Sequence, residues 1–316
     1  MNIGPEQLLA VLLIGISNGL LLGLIALGYT LVYGIIELIN FAHGDVFMLG
    51  TMLALTLVTS FGLRGTTTDP LVLFPLLLLI IVVVMIFTAL VNVTIERVAY
   101  RPLRRAPKLA PLISAIGVSF ILINIGLVWR GASQVNFPGV IPVHDVIGGA
   151  SPILGGTAIQ YTTKDLAVLV LAIPLMIGLD LFVQRTRLGK AMRATAQDQE
   201  AAALMGINVN TTIALTFVIG GALAGAAGFI FGMYNSYAWF LQGFRGGLFA
   251  FTSAVVGGIG NIRGAFLGGL IIGLIQAFSD FFIDTKWTQV VVFGILILIL
   301  VFRPSGILGE AVPERA

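Results

Sequence analysis

The chain has 316 residues, of which 58% are hydrophobic and only 10% are charged, where soluble domains carry about a quarter charged residues. So few charges cannot cover the apolar surface of a water-soluble fold, which points to a bilayer as the solvent. A formal net charge of +3 gives no basis for a nucleic-acid partner, and the absence of cysteine removes disulfide, zinc-thiolate and thiol chemistry.

A helix crosses about 30 Å of hydrocarbon with roughly 20 mainly apolar residues, so spans are read from the gaps between charges. Met1 to Gln7 contains no Lys or Arg, and the apolar run behind it is too long for a secretory signal core, so it is expected to stay as a span. That first span is Leu8 to Val32, followed by Val46 to Leu63, Pro70 to about Val93, and Leu109 to Val128. The fifth, Leu166 to Val183, carries Asp180 near its end, and the sixth is Ile213 to Tyr234. Leu248 to Gly260 is short and glycine-rich, either a brief span or a re-entrant piece, before Ala265 to Phe282 and Trp287 to Phe302. The expected fold is an all-α polytopic membrane protein of about eight or nine transmembrane helices, with residues 1–316 as one domain and no internal repeat.

Basic residues orient these spans. The 94–108 loop holds Arg97, Arg101, Arg104, Arg105 and Lys108, and the 184–212 loop holds Arg185, Arg187, Lys190 and Arg193. The 130–165 loop between them has only Arg130 and Lys164. Both basic loops are therefore expected in the cytoplasm and the 130–165 loop outside, with the N-terminus outside. The C-terminus is inside if Leu248 to Gly260 crosses, and outside if it does not.

Within the second basic loop, Arg193 to Met205 reads as one Ala-rich helix ended by Gly206. Such a helix can lie on the membrane surface, merely connect spans, or dock into a groove on a soluble partner. The Glu200-Ala201-Ala202 run with Gly206 behind it resembles the EAA loop of bacterial ABC importer permeases, without the proline of the later half of that pattern. Four further segments, Ile39 to Asp45 (INFAHGD), Ile95 to Arg104 (IERVAYRPLR), Val255 to Leu274 (VVGGIGNIRGAFLGGLIIGL) and Arg303 to Gly309 (RPSGILG), resemble the permease subunits of branched-chain amino-acid ABC importers. Urea and short-chain amide importers are close relatives of that family.

The resemblance implies a coupling loop of Gly189, Arg193, Ala194, Glu200, Ala201, Ala202 and Gly206 that seats in an ATPase. It also implies a second permease subunit, two cytoplasmic ATPases that bind the ATP, a periplasmic binding protein and a place in the bacterial inner membrane. An ATPase-independent channel or ion-coupled carrier is the alternative from another class. No GxxxxGK[ST] run is present, and two histidines without cysteine give an enzyme little to work with, so no catalytic, cofactor or metal residues are assigned.

Other candidates carry both a structural and a functional reading. Asn40, His43 and Asp45 after the first span are expected to form a buried polar turn that satisfies local backbone groups, or else to line the pathway. A third metal ligand is lacking. The Gly257-Gly258-Ile259-Gly260-Asn261 break is expected to concentrate flexibility at a membrane-depth turn near the pathway. Glycines four apart, such as Gly15, Gly19 and Gly23, or Gly260, Gly264 and Gly268, are expected to let helix backbones approach closely. Glu37, Asp180 and Asp280 each sit near a span end rather than at a clear centre, unlike the mid-span acids of proton-coupled carriers.

Overall fold

A computed structural model describes residues 5–65, 69–104, 106, 107, 109–144, 146 and 161–309. Arg105, Lys108 and 147–160 of the long loop, all part of the orientation reading, lie outside the described residues. The helices are α1 (Pro5–Ile36), α2 (Ala42–Ser60), α3 (Pro70–Ile95) and α4 (Leu109–Arg130), then α5 (Thr163–Arg185), α6 (Arg187–Gln197) and α7 (Gln199–Leu204). After these come α8 (Val209–Asn235), α9 (Gln242–Gly257), α10 (Ile262–Phe282) and α11 (Thr288–Phe302). Among the described residues, seven helices are long and apolar enough to cross a membrane: α1, α2, α3 with its continuation, α4, α5, α8 and α10. The 15-residue apolar α11 and the 16-residue α9 complete the set, so the all-α polytopic reading holds.

The glycine spacing sets how these helices pack. At Gly273 an added Cβ would lie 2.2 Å from Gly19 Cα, and at Gly269 one would lie 2.4 Å from Gly23 Cα. α1 and α10 are therefore in backbone contact along antiparallel axes. Gly225 and Gly228 of α8 also approach α3 and α2 closely, an added Cβ lying 2.9 Å from Val84 O and 2.5 Å from Phe47 O. Hydrocarbon gives little hydrophobic drive between helices, so such close approach is what holds them. Exposed Leu71, Leu78, Phe120, Val128, Val170 and Val301 form the outward-facing apolar belt that a bilayer covers.

α2 and α9 start inside the bundle instead of at its surface. Residues 37–40, outside any helix and opening with Glu37 at φ +51°, lead back from the end of α1, and His43 at the start of α2 packs edge-on against Tyr29, ring centroids 4.7 Å apart. The first turns of α2 and α9 then meet, because a Cβ on Gly44 would lie 2.4 Å from Gly243 O. From there α9 runs to the end of the bundle where Gly34 of α1 and Gly260 lie together. α9 thus runs from inside the bundle to this end, and Gly309 ends up beside Gly258, at the same end as α6.

The opposite end is closed by a feature with no sequence expectation. Val135–Asn136 (β1) pairs antiparallel with Tyr237–Ala238 (β2), in register Val135 to Ala238 and Asn136 to Tyr237. Phe137, fully buried, packs on Gly232, and Trp239 Nε1 donates to Ala132 O at 2.9 Å. Lys164 Nζ donates to Ser236 Oγ at 2.6 Å, and Tyr234 donates to Asp165 Oδ1 at 3.0 Å.

Candidate functional site

The 184–212 loop folds as two short helices with an elbow, not as the single helix expected over Arg193 to Met205. Asp198 leaves helical geometry at φ −157° and ψ 113°, and its Oδ1 accepts from the backbone N–H groups of Glu200 and Ala201 at 2.9 and 3.0 Å. A carboxylate that caps a new helix outcompetes continuation of the old one. Gly206 does end α7. At φ +83° it lets its own N–H reach Ala203 O and that of Ile207 reach Ala202 O, both at 3.0 Å, which closes the last carbonyls.

The elbow is fastened to the spans at several points. Gly189 sits where a Cβ would come 2.2 Å from Val183 O, so α6 lies directly on the end of α5. Arg193 donates to that same Val183 carbonyl. Gln199 Nε2 donates to Ile35 O at 3.0 Å and so holds the end of α1. Ala202 is buried and Ala194 half-buried, while Glu200 and Ala201 are exposed. Leu204 and Met205 beside them are 89% and 83% exposed, an apolar tip in what is otherwise a polar loop.

A cavity of about 500 Å³ opens between this elbow and the spans, lined by Gly34, Glu37, Arg193, Gly260, Asn261 and Arg263 among others. Arg263 pairs with Asp180 across it at 3.5 Å. Gly257, Gly258, Gly260 and Asn261 thus lie at the elbow's end of the bundle. The break is pinned by hydrogen bonds. The N–H groups of Ile307 and Leu308 donate to Val256 O and Gly257 O at 2.9 and 3.0 Å. Asn261 caps α10 through Gly264 N–H at 3.1 Å and donates to Leu308 O at 2.9 Å. Arg303 to Gly309, read only as a family signature, is this strap.

Asn40, His43 and Asp45 are all buried, and the Asn40 and Asp45 side chains bond to other elements instead of to local backbone groups. Asn40 Oδ1 accepts from Tyr100 Oη at 2.7 Å, and Asp45 Oδ2 accepts from Ser119 Oγ at 2.5 Å. Among the described residues no group of three or more His, Asp or Glu is placed to hold a metal. The 94–108 loop is likewise more than a charged anchor. Arg104 turns inward to pair with fully buried Glu96 and donates to Asn210 Oδ1 at 2.6 Å. Burial draws the Arg104 guanidinium below its ordinary pKa, and the Glu96 carboxylate opposes that shift.

On the far side of the α2–α9 contact lies a second cavity, of about 230 Å³. Ile25, Phe47, Phe231 and Phe249 give it apolar walls, and Asn18, Asn235, Gln242, Arg245 and Gln276 are among its polar lining. None of these residues belongs to a recognisable motif. One signal was available: Arg245 is the only charged residue between Glu200 and Arg263.

These two cavities stand at opposite ends of the helix bundle, with the close Gly44–Gly243 contact between them. Comparison with known proteins gives the family. The family model described as the permease component of branched-chain amino acid transport systems matches residues 11–301. The chain is 44% identical over 95% of both chains to the high-affinity branched-chain amino acid transport system permease protein BraD of Pseudomonas aeruginosa. It is 39% identical, again over 95% of both, to LivH of Escherichia coli K12. It is 30% identical to the probable LivH of Methanocaldococcus jannaschii, over 92% of this chain and 89% of that one. This membrane-spanning chain therefore belongs to the branched-chain amino acid transport system permease family.

Proposed function

We propose that the chain is a membrane subunit of an ABC importer that carries branched-chain, aliphatic amino acids across the bacterial inner membrane. The observation that carries this reading is the α6–α7 elbow, with its exposed Leu204–Met205 tip and its fastenings to α1 and α5. Its place within a family of transport permeases supports it. In this reading the elbow faces the cytoplasm and Glu200, Ala201 and Gly206 seat against one of two ATPase subunits, which bind the ATP. A related permease subunit completes the pathway, and a periplasmic binding protein delivers the solute to the β1–β2 end.

The geometry gives the lever its action. ATPase closure moves the elbow as a unit because Gly189, Arg193 and Gln199 tie it to the ends of α5 and α1. Those ends border the 500 Å³ cavity, so their displacement closes it while the outer cavity opens.

The test is uptake of labelled leucine into proteoliposomes that contain the complete importer. Uptake is expected only with ATP and the ATPases present, and neither urea nor acetamide should compete. Replacing Leu204 and Met205 together by Ser should abolish ATPase capture in detergent without lowering the amount of folded chain. Leucine uptake by this chain with the ATPases omitted would refute the reading.

A further inference from the structure

We propose that the cavity at the start of α9 is a station that binds one zwitterionic aliphatic amino acid, with Arg245 holding its carboxylate. This deepens the transport function proposed above and rests on it. At about 230 Å³ the cavity is smaller than the roughly 300–1,000 Å³ of drug-sized ligand sites, and so takes a single small solute.

Its electrostatics select the charge of that solute. Arg245 stands in the first turn of α9, where the helix dipole is already positive. Cations are disfavoured at that end of a helix, and among the described residues the exposed Arg245 side chain forms no hydrogen bond or ion pair, its backbone N–H alone bonding to Leu241 O. The N-cap residue, Leu241, supplies no side-chain acceptor for the free amides of the same turn. Asp45 Oδ1 lies beside Gly243, 2.7 Å from where a Cβ would stand, on the packed side of this turn; on the cavity side the Arg245 guanidinium is left without an anion.

A second observation is independent of the helix end. Gln242 lines the same cavity, is 3% exposed, and accepts the Trp239 N–H through Oε1 at 2.9 Å. That bond fixes the amide orientation and leaves Nε2 as a buried donor with no partner. A buried donor left unmet is costly, and a carboxylate bound beside Arg245 satisfies it.

The rest of the lining completes an amino acid. Asn235 donates its amide to Phe231 O at 3.4 Å, which leaves Oδ1 free to accept from an ammonium group. Phe47 and Phe249 then face the aliphatic side chain. Neutral urea or acetamide has neither charge to offer, so the station discriminates against the solutes of the neighbouring importers.

The chain has no cysteine, so a single Tyr237→Cys at the cavity wall is a unique label site. In right-side-out vesicles holding the complete importer, leucine should slow its alkylation by an impermeant maleimide. Isoamylamine, 4-methylpentanoate and acetamide should protect far less. Arg245→Ala should raise the half-protecting leucine concentration about tenfold or more, the loss of one charge-assisted bond, with Arg245→Lys between. No protection by leucine well above its uptake-saturating concentration, or equal protection in Arg245→Ala, would overturn the station. Failure of the unmodified importer to take up leucine would overturn the proposed function instead, and the labelling result would still decide the station.

Discussion

Replacing Gly273 by Ala tests whether glycine contacts hold this bundle together. The new Cβ would lie 2.2 Å from both Cα and N of Gly19, and 2.6 Å from Gly15 O. A real Cβ essentially never comes within 3.0 Å of such an atom, so the backbones must part by about 0.8 Å at least, and by about 1.2 Å to reach ordinary contact at 3.4 Å. All three obstructing atoms are backbone, so no side chain can rotate away. Separation there also loosens Gly269 against Gly23, one turn along the same seam. Overpacking of this kind costs about 1–3 kcal/mol, and the backbone geometry places Gly273→Ala toward the upper value. At roughly 2–4 °C per kcal/mol, the melting temperature should fall by about 4–10 °C. The assay is the fraction of monodisperse protein that survives stepwise heating in detergent, read by size exclusion. Gly117→Ala and Gly178→Ala are the controls, since nothing lies within 4 Å of an added Cβ at either helical position. They should hold or gain up to about 1 kcal/mol from helix propensity. A Gly273→Ala protein that melts with its parent, or controls that fall as far, would refute the packing argument.

Two further outcomes are expected. Arg104→Ala should destabilise by roughly 3–5 kcal/mol, because it strands the Glu96 carboxylate, itself 1% exposed, without its cation. The double variant Glu96→Gln with Arg104→Met should recover much of that loss in the same heating assay, and no recovery would show that the ion pair is not the cause. Asp198→Ala removes the cap of α7, worth about 1 kcal/mol, so amide exchange over residues 199–204 should quicken roughly fivefold. Coupled leucine uptake should fall with it while the melting temperature stays near the parent's, and unchanged exchange would mean that α7 does not depend on this cap.

The apolar segments were legible because hydrocarbon admits few alternatives to a long apolar helix. Their ends were less so, since polar residues that cap a helix also extend it. Thr162 and Asp165 form a capping box that starts α5 before Leu166, and Asn208 caps α8 ahead of Ile213. Gly206 announced its own role. Asp198 did not, because an Asp amid Ala, Gln and Glu reads as one more exposed helix residue until its carboxylate is seen on two amides. The partners of Asn40 and Asp45 lie 60 and 74 residues away, beyond any local pattern. Arg245 stood out by its isolation, but its meaning depends on the cavity that α1, α2, α8 and α10 assemble around it.

The inward start of α2 bears on how the chain is made. Of the seven long apolar helices, α2 has the lowest hydropathy of its segment and the largest share of it buried by the others. It presents Asn40, His43 and Asp45, whose neighbours Tyr100 and Ser119 are synthesised later. The insertion machinery judges each segment against lipid as it emerges, and α2 has little to offer lipid. It must wait beside α1, or in the shelter of the translocon, until α4 brings Ser119 and α8 brings the glycine face that Phe47 and Thr51 pack on. Biogenesis of this permease is therefore a cooperative event in which an early segment is accepted on the credit of later ones.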